Sequence, residues 1–447
     1  MWFDSDHFRT LGSLPALIDD KQEVSYARLG ARLVNYREAL QRERFSFDGA
    51  VIAIDGRYSS DLCALWFALV KDGAIIVPLP PGPPSKRDEF TQIARVQASL
   101  SLDSAGVLTV RSEGGDGVHD LYDRLRERRA PGLVLFSSGT TGNPKASVLD
   151  FNRLLARYQG AKRPRRTLAF LSLDHIGGIN TLMNTVFNGG AVITTDDRSP
   201  ASVFRAVAAH RVDTLPTTPT FLTMSLISGE LERHDLTSLR LVTYGTEPMP
   251  AQTLRKIHSV LPHVRLKQTY GLSEMGILPT VSRSNDSLWL KLGGVGFEHK
   301  IVNGILWIRS QMAMLGYLNA HAPFDEEGWF DTRDAVEVDG EYIRILGRAS
   351  EIINVAGEKV YPNEVESVLL ELDNVVEATA FGKPSPITGM VVKARLRLAC
   401  PEPLADLRRR VREHCRERLE AFKIPASVEV DDELQHSARF KKLRVAS

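Results

Sequence analysis

Apolar positions along the chain repeat with two periods. Leu29, Leu33, Tyr36 and Leu40 fall at helical spacing. Residues 51–54 form a short unbroken apolar run, the signature of a buried strand, and a helical pattern carrying Leu62, Leu65 and Leu69 follows it. Residues 75–79 predict another strand, which runs into Pro78-Leu79-Pro80-Pro81-Gly82-Pro83-Pro84, a run that must be a loop. The alternation resumes at 167–171, 191–194 and 239–243. Repeated strand–helix units predict an α/β fold with parallel sheets and helices on their faces. Residues 85–129 are polar and poorly patterned and predict no element.

The pattern changes near Gly347. Before it, 340–346 reads as a strand of a small β unit; after it, charge becomes denser. Leu404, Leu407, Val411, Cys415, Leu419 and Phe422 make one apolar helix stripe, and Arg408, Arg409, Arg410, Arg412, Arg416 and Arg418 occupy its other face. Those arginines read either as a solvated helix face or as a surface for an acidic partner. A boundary at 348–350 divides the chain into 1–347 and a small α+β domain, 348–447.

Composition adds mainly exclusions. A chain of 447 residues is long enough for more than one domain, and a formal net charge of +1 favours neither nucleic acid nor an anionic membrane. Cys63, Cys400 and Cys415 are far apart and lack metal-ligand spacing, so they read as reduced, mostly buried thiols of a cytoplasmic protein. The N-terminus has no basic segment followed by an apolar one, and no apolar run is long enough to span a bilayer.

The densest chemistry lies in Ser137-Ser138-Gly139-Thr140-Thr141-Gly142-Asn143-Pro144-Lys145, directly after the apolar run 132–136. Glycines let backbone N–H groups turn toward an anion, and the hydroxyls and ammonium add donors. This reads as a phosphate-gripping loop, but not a Walker A loop, because Ala146 stands where Ser or Thr is required. A polar turn between strands is the plainer alternative.

Four further segments carry candidate ligands. In Gln268-Thr269-Tyr270-Gly271-Leu272-Ser273-Glu274 an aromatic face suits a purine, a hydroxyl suits a phosphate oxygen and a carboxylate suits Mg²⁺. The same run also reads as a helix start capped by Ser273. Asp334, in Gly328-Trp329-Phe330-Asp331-Thr332-Arg333-Asp334, reads as a ribose ligand or as a solvated acid in a surface turn. The stretch 347–362 offers Arg348 to a ribose or phosphate and Gly357 to a close ligand approach, or forms an ordinary hairpin. The tail 434–444 carries Lys441 and Lys442 in a basic run that reads by itself as a solvated end.

Together, in this order, these segments resemble the adenylate-forming superfamily, which includes acyl- and aryl-CoA synthetases, nonribosomal peptide adenylation domains and firefly luciferase; the resemblance covers nearly the whole chain. It implies that Thr140, Thr141 and Lys145, within the Ser137, Ser138, Gly139 and Gly142 framework, hold the β- and γ-phosphates of ATP. It implies that Tyr270 stacks on adenine beside the backbone of Gly245, Thr246 and Glu247, with Thr269 and Gly271 flanking it. Ser273 would reach the α-phosphate, Glu274 would bind Mg²⁺, and Asp334 and Arg348 would bind the ribose. Lys441 matches the lysine that bridges the carboxylate and the α-phosphate, and Gly357 matches the glycine lining a thiol tunnel once the mobile small domain has turned. The implied reaction joins a carboxylic acid to AMP and then passes the acyl group to a thiol; the alternative is a nucleotide-binding relative with little or no turnover, kept for partner binding.

Leu171-Ser172-Leu173-Asp174-His175-Ile176-Gly177-Gly178 looks like the acid-pocket segment of acyl- and aryl-CoA synthetases, with His175 as a pocket wall or as a satisfied packing histidine. Ile176 stands where amino-acid adenylation domains carry an Asp, which favours an acid without an α-amine. Asp174 is expected to cap the helix that begins at Ile176, the alternative being a contact with a polar acid. CoA, a phosphopantetheine on a carrier protein, and an amine are all open as acceptors; the stretch 353–360 resembles acyl-CoA synthetases and favours CoA. Lys162, Arg163, Arg165 and Arg166 are further candidates for acceptor phosphates. The chain departs from the family pattern at Arg333 and Phe440, each in place of a usual Gly, and at Ser350, where Asp or Lys is common. Phe440 leaves Lys442 as a rival to Lys441.

Overall fold

The computed structural model describes residues 5–19, 21–55, 58–80, 82–138, 144–158, 163–195, 197–386 and 388–431. Among these residues the large N-terminal part holds two seven-stranded sheets. The first runs Arg265–Gln268, Leu241–Tyr244, Thr214–Thr217, Arg166–Leu168, Ala191–Ile193, Pro15–Ile18, Glu23–Ser25 and is parallel except at the last pair. The second runs Gly316–Tyr317, Pro144–Asp150, Gly132–Ser138, Ile75–Pro78, Val51–Asp55, Ala98–Leu102, Leu108–Ser112, with a parallel centre and antiparallel edges. Buried residues of both sheets share one core with the helices Tyr26–Arg42, Ser60–Lys71 and Ile176–Phe187. The helix Ser60–Lys71 is apolar nearly all round because it is enclosed there.

The unassigned stretch 85–129 holds a helix, Pro84–Ile93, an antiparallel strand pair, Ala98–Leu102 with Leu108–Ser112, and a helix, Asp120–Glu127. Its sequence hid most of these elements because they bury little: Leu108–Ser112 is an edge strand with no buried residue, and the second helix buries only Tyr122 and Leu125.

A six-stranded antiparallel sheet follows, in the order Thr280–Ser282, Leu290–Leu292, Tyr342–Arg348, Phe330–Asp339, Ile305–Ser310, Phe297–Val302. The smaller C-terminal domain has its own sheet, Glu358–Val360, Ile353–Val355, Gly389–Leu398, Val375–Ser385, with Ser427–Val430 parallel to Gly389–Leu398. The helices Pro362–Leu369 and Leu404–Arg416 pack on it through Val365, Leu369, Leu407, Val411 and Cys415.

The long apolar stripe expected in that last helix is corrected at both ends. Leu404 is exposed, and the helix stops at Arg416, so Phe422 lies in a separate turn of 3₁₀ helix. Its arginine face is largely engaged: Arg409 pairs with Asp406 at 2.8 Å, Arg410 with Glu402 at 2.6 Å, and Arg418 with Glu371 at 3.3 Å. Of the three cysteines, Cys63 and Cys415 are buried and Cys400 is exposed. No helix among the described residues is long and apolar enough to cross a membrane.

Candidate active site

The strand Gly132–Ser138 pairs antiparallel with Pro144–Asp150, so the ends of the Ser/Thr-rich loop stand side by side, with Ser137 opposite Lys145. Gly139, Thr140, Thr141 and Gly142 lie outside the described residues, as do Lys162, Phe440, Lys441 and Lys442. Asn319 braces the base of the loop: its Oδ1 accepts from Ala146 N at 3.1 Å, and its Nδ2 donates to the Pro144 carbonyl at 2.8 Å.

The run 268–274 is not a helix start. It forms the first arm and turn of a hairpin, Tyr270–Leu272 with Gly276–Leu278, in which Gly271 lies against Gly276 and Ile277 too closely for a Cβ. The turn presents Ser273, half-buried, and Glu274, buried. One oxygen of Glu274, Oε1, accepts from the Tyr317 hydroxyl at 2.7 Å and from Ser137 Oγ at 3.4 Å. Lys145 Nζ lies 5.5 Å from the centre of the Tyr317 ring. Three segments more than 40 residues apart thus meet at one carboxylate. Burial and the adjacent Glu274 hold the Tyr317 hydroxyl far above the ordinary phenol range, so it stays a donor.

The opposite wall comes from the six-stranded sheet. Asp334 is buried, not the solvated acid of a surface turn. It pairs across the strands with Arg348, whose Nε lies 2.9 Å from its Oδ1, and its other oxygen accepts from the Tyr270 hydroxyl. Burial pushes the Asp334 carboxyl up, while Arg348 and the Tyr270 donor oppose that shift. Burial lowers Arg348, but the acids around it, Asp334 first, leave it above its ordinary value. Tyr270 and Glu274 lie on one hairpin, so the Asp334–Arg348 pair and the Ser137–Tyr317 contacts are joined through it.

Gly245 and Thr269 follow the carboxyl ends of adjacent parallel strands, where ligands of open α/β sheets bind. Thr269 donates to the Tyr244 carbonyl through N and Oγ1, at 2.7 and 3.0 Å, and a Cβ on Gly245 would come within 2.5 Å of Thr269 Oγ1. Thr246 is exposed with φ +73°, and Glu247 Oε1 accepts from Thr220 N at the start of the helix Pro219–Ser228.

The cap of the helix Ile176–Phe187 is a correction. His175, not Asp174, takes that place, its Nδ1 accepting from Gly177 N at 2.9 Å. The imidazole stands one residue nearer the helix and reaches the orphan N–H directly. Asp174 is buried instead, and its field acts on Arg198, whose guanidinium burial pulls down. The paired glycines have a packing reason: a Cβ on Gly178 would fall 2.0 Å from the Ser172 carbonyl oxygen.

Gly357, φ +92°, lies between the paired strands Ile353–Val355 and Glu358–Val360, and its N–H donates to Asn354 Oδ1 at 3.0 Å. Among the described residues no neighbouring atom lies within 4 Å of a Cβ built there, so it is not brought against Glu274 or Asp334. Arg165 and Arg166 are held by structure: Arg165 donates to Thr214 Oγ1 at 3.3 Å and Arg166 to the His210 carbonyl at 2.7 Å. Sequence reasoning missed Tyr317 and Asn319. The Gly-Tyr-Leu-Asn run at 316–319 has no chemistry until it pairs beside the loop strand.

The family model described as AMP-binding enzyme matches residues 6–318, and the one described as AMP-binding enzyme C-terminal domain matches 364–441. The chain belongs to the AMP-binding enzyme family. As an AMP-binding enzyme it is 27% identical to a fatty acid–[acyl-carrier-protein] ligase, MmaC, of Mycobacterium marinum, over 96% of this chain and 92% of that one. It is 26% identical to an indoleacetate–CoA ligase of Aromatoleum aromaticum, over 84% of this chain and 83% of the relative. Its fold matches the anthranilate CoA ligase AuaEII, solved with anthranoyl-AMP, at a TM-score of 0.84 and 21% identity, over 98% of this chain and 95% of that one. The resemblance to adenylate-forming enzymes drawn from the sequence is borne out.

Proposed function

We propose that this enzyme activates a carboxylic acid, aryl or acyl and without an α-amine, by joining it to AMP, and then passes the acyl group to a thiol, CoA first among the candidates. The observation that carries this reading is the convergence of Ser137, Lys145, Tyr317 and Glu274 with Tyr270, Asp334 and Arg348 on one cleft. The donor set fits Mg²⁺ held jointly with ATP. The described residues contain no cluster of three or more His, Cys, Asp or Glu, and Glu274 Oε2 makes no hydrogen bond among them. One carboxylate completed by substrate phosphates is a usual Mg²⁺ arrangement. When bound, Mg²⁺ would neutralise charge on the phosphates.

The chain's own groups position the rest. Lys145 and the loop hydroxyls bind the outer phosphates, Asp334 and Arg348 hold the ribose, and Tyr270 lies along the adenine. A carboxylate oxygen of the acid attacks the α-phosphorus; the bond from that phosphorus to the bridging oxygen breaks, and pyrophosphate leaves. No protein nucleophile is needed, because placement and charge stabilisation do the work. In the second step a thiol attacks the acyl carbonyl and AMP leaves. Lys441 serves the first step and Gly357 the second, after the small domain turns about 348–350.

A carrier-borne thiol is the second reading, favoured by the MmaC relative. Pyrophosphate exchange across a panel of acids tests the first step, and failure of every acid to support exchange while ATP still binds would overturn the reading. Mass analysis after adding CoA, a phosphopantetheinylated carrier or amines then assigns the acceptor.

A further inference from the structure

We propose that Asn363 is a positioning residue of the first half-reaction: its amide latches the small domain onto the strand that ends in Arg348, and the latch must open before the acyl group can be passed on. The inference rests on the function proposed above. Its basis is a bulge in the six-stranded sheet. Where Phe330–Asp339 pairs with Tyr342–Arg348, Ala335 faces Gly347 but Val336 faces Ile345. One step on the first strand therefore spans two on the second, and Leu346 has no partner opposite it. Bulges leave such an extra residue unpaired.

The small domain supplies that partner. Asn363, in the first turn of the helix Pro362–Leu369, donates from Nδ2 to the Leu346 carbonyl at 3.0 Å. A carbonyl can only accept, so the amide must present its nitrogen here. The fit is close: a Cβ on Gly347, whose φ is +138°, would come within 2.9 Å of that nitrogen. Two residues beyond Leu346, Arg348 pairs with Asp334 at 2.9 Å and donates to the Thr332 carbonyl at 3.0 Å. The latch thus closes on the stretch of backbone that carries the ribose-binding arginine.

The proposed pivot, 348–350, lies between donor and acceptor. Leu346 stays with the large domain and Asn363 moves with the small one, so a turn about the pivot separates them. In the arrangement that the latch holds, Gly357 is not against Glu274 or Asp334, so this is the arrangement before the turn. The helix is tied at its far end as well, where Glu371 meets Arg255 at 3.4 Å, but that pair is exposed. The plainer reading, an ordinary bond at a domain seam, predicts lost stability and equal losses in both steps.

The test compares the wild-type protein with Asn363→Ala, Asn363→Asp and Asn363→Gln. Pyrophosphate exchange reads the first step, and AMP release from a supplied acyl-adenylate and thiol reads the second. Each step uses one orientation, so the ratio of the two rates follows the equilibrium between orientations. Loss of a neutral hydrogen bond should move that ratio about fivefold toward the second step in the Ala and Asp variants. Asn363→Asp keeps the side-chain shape and puts a negative charge at a helix N-terminus, so its thermal midpoint should hold while the ratio moves. Asn363→Gln keeps the donor and should recover part of the shift. Amide hydrogen exchange across 346–351 should rise about fivefold in the Ala and Asp variants. An unchanged ratio, or equal losses in both steps, would overturn the inference. If no acid supports pyrophosphate exchange in the wild-type protein while ATP still binds, the proposed function fails; amide exchange then decides the latch, and an unchanged rate across 346–351 would overturn it. If acids support exchange and the ratio stays fixed in every variant, only this inference fails.

Discussion

One oxygen of Glu274 is engaged by Tyr317 and Ser137, and the other carries no hydrogen bond among the described residues. Glu274→Gln keeps an oxygen for Tyr317 but removes the negative charge. Pyrophosphate exchange should fall roughly 100-fold or more, as for loss of a preorganised electrostatic group, with the fold unchanged by circular dichroism. Full activity in this variant would remove Glu274 from the site. Asp334 makes a second test. Burial raises its carboxyl and Arg348 opposes that, so Arg348→Met should raise it further. If ionised Asp334 is needed to accept from the ribose, the acid limb of the exchange profile moves to higher pH in this variant; a stationary limb would exclude that role. The sign for stability follows. A carboxyl raised on folding binds more protons folded than unfolded, so its contribution is fullest below its unfolded pKa and is lost as pH rises through the folded one.

Elements whose chemistry is local were legible in the chain. The strand begun by 132–136 and the strand read at 340–346 follow from apolar runs a few residues long, and they appear as Gly132–Ser138 and Tyr342–Arg348. The alternative of a helix start at 268–274 is ruled out by pairing with 276–278, which local sequence could not show because Ser273 and Glu274 suit a cap and a hairpin turn equally. His175 displaced Asp174 as the cap because a side-chain nitrogen at the right height outcompeted the better-known cap residue. Tyr317 lay 43 residues from the Glu274 it holds, and nothing local pointed to it. Gly178 tests whether this helix is set as tightly as it looks. Gly178→Ala drives a methyl into the Ser172 carbonyl and should cost about 1–3 kcal/mol, read as a lower urea midpoint. An unchanged midpoint would mean that the 172–178 turn relaxes freely.

Across the whole molecule, the large and small domains meet at a polar cavity of about 560 Å³ lined by Arg255, Lys256, Glu371, His414 and Arg418 among others. Glu371 lies 3.4 Å from Arg255 of the helix Ala251–Val260 and 3.3 Å from Arg418 of its own domain. Both arginines are exposed, and such pairs are worth at most about 1 kcal/mol. Glu371→Ala should therefore change the ratio of the two half-reactions by no more than about fivefold. A larger change would make this contact a lock on domain orientation. The cysteines supply a way to watch that orientation. Burial pushes the Cys63 thiol well up and Cys415 up to about 11, while Cys400 is exposed at the end of the strand Gly389–Leu398. A maleimide should take one equivalent per chain, at Cys400, by mass spectrometry; two or more would contradict the burial. The native polypeptide thus comes with a unique attachment point for a fluorophore on its smaller half. Paired with a second dye on the body, it would report whether the two domains change their separation during turnover.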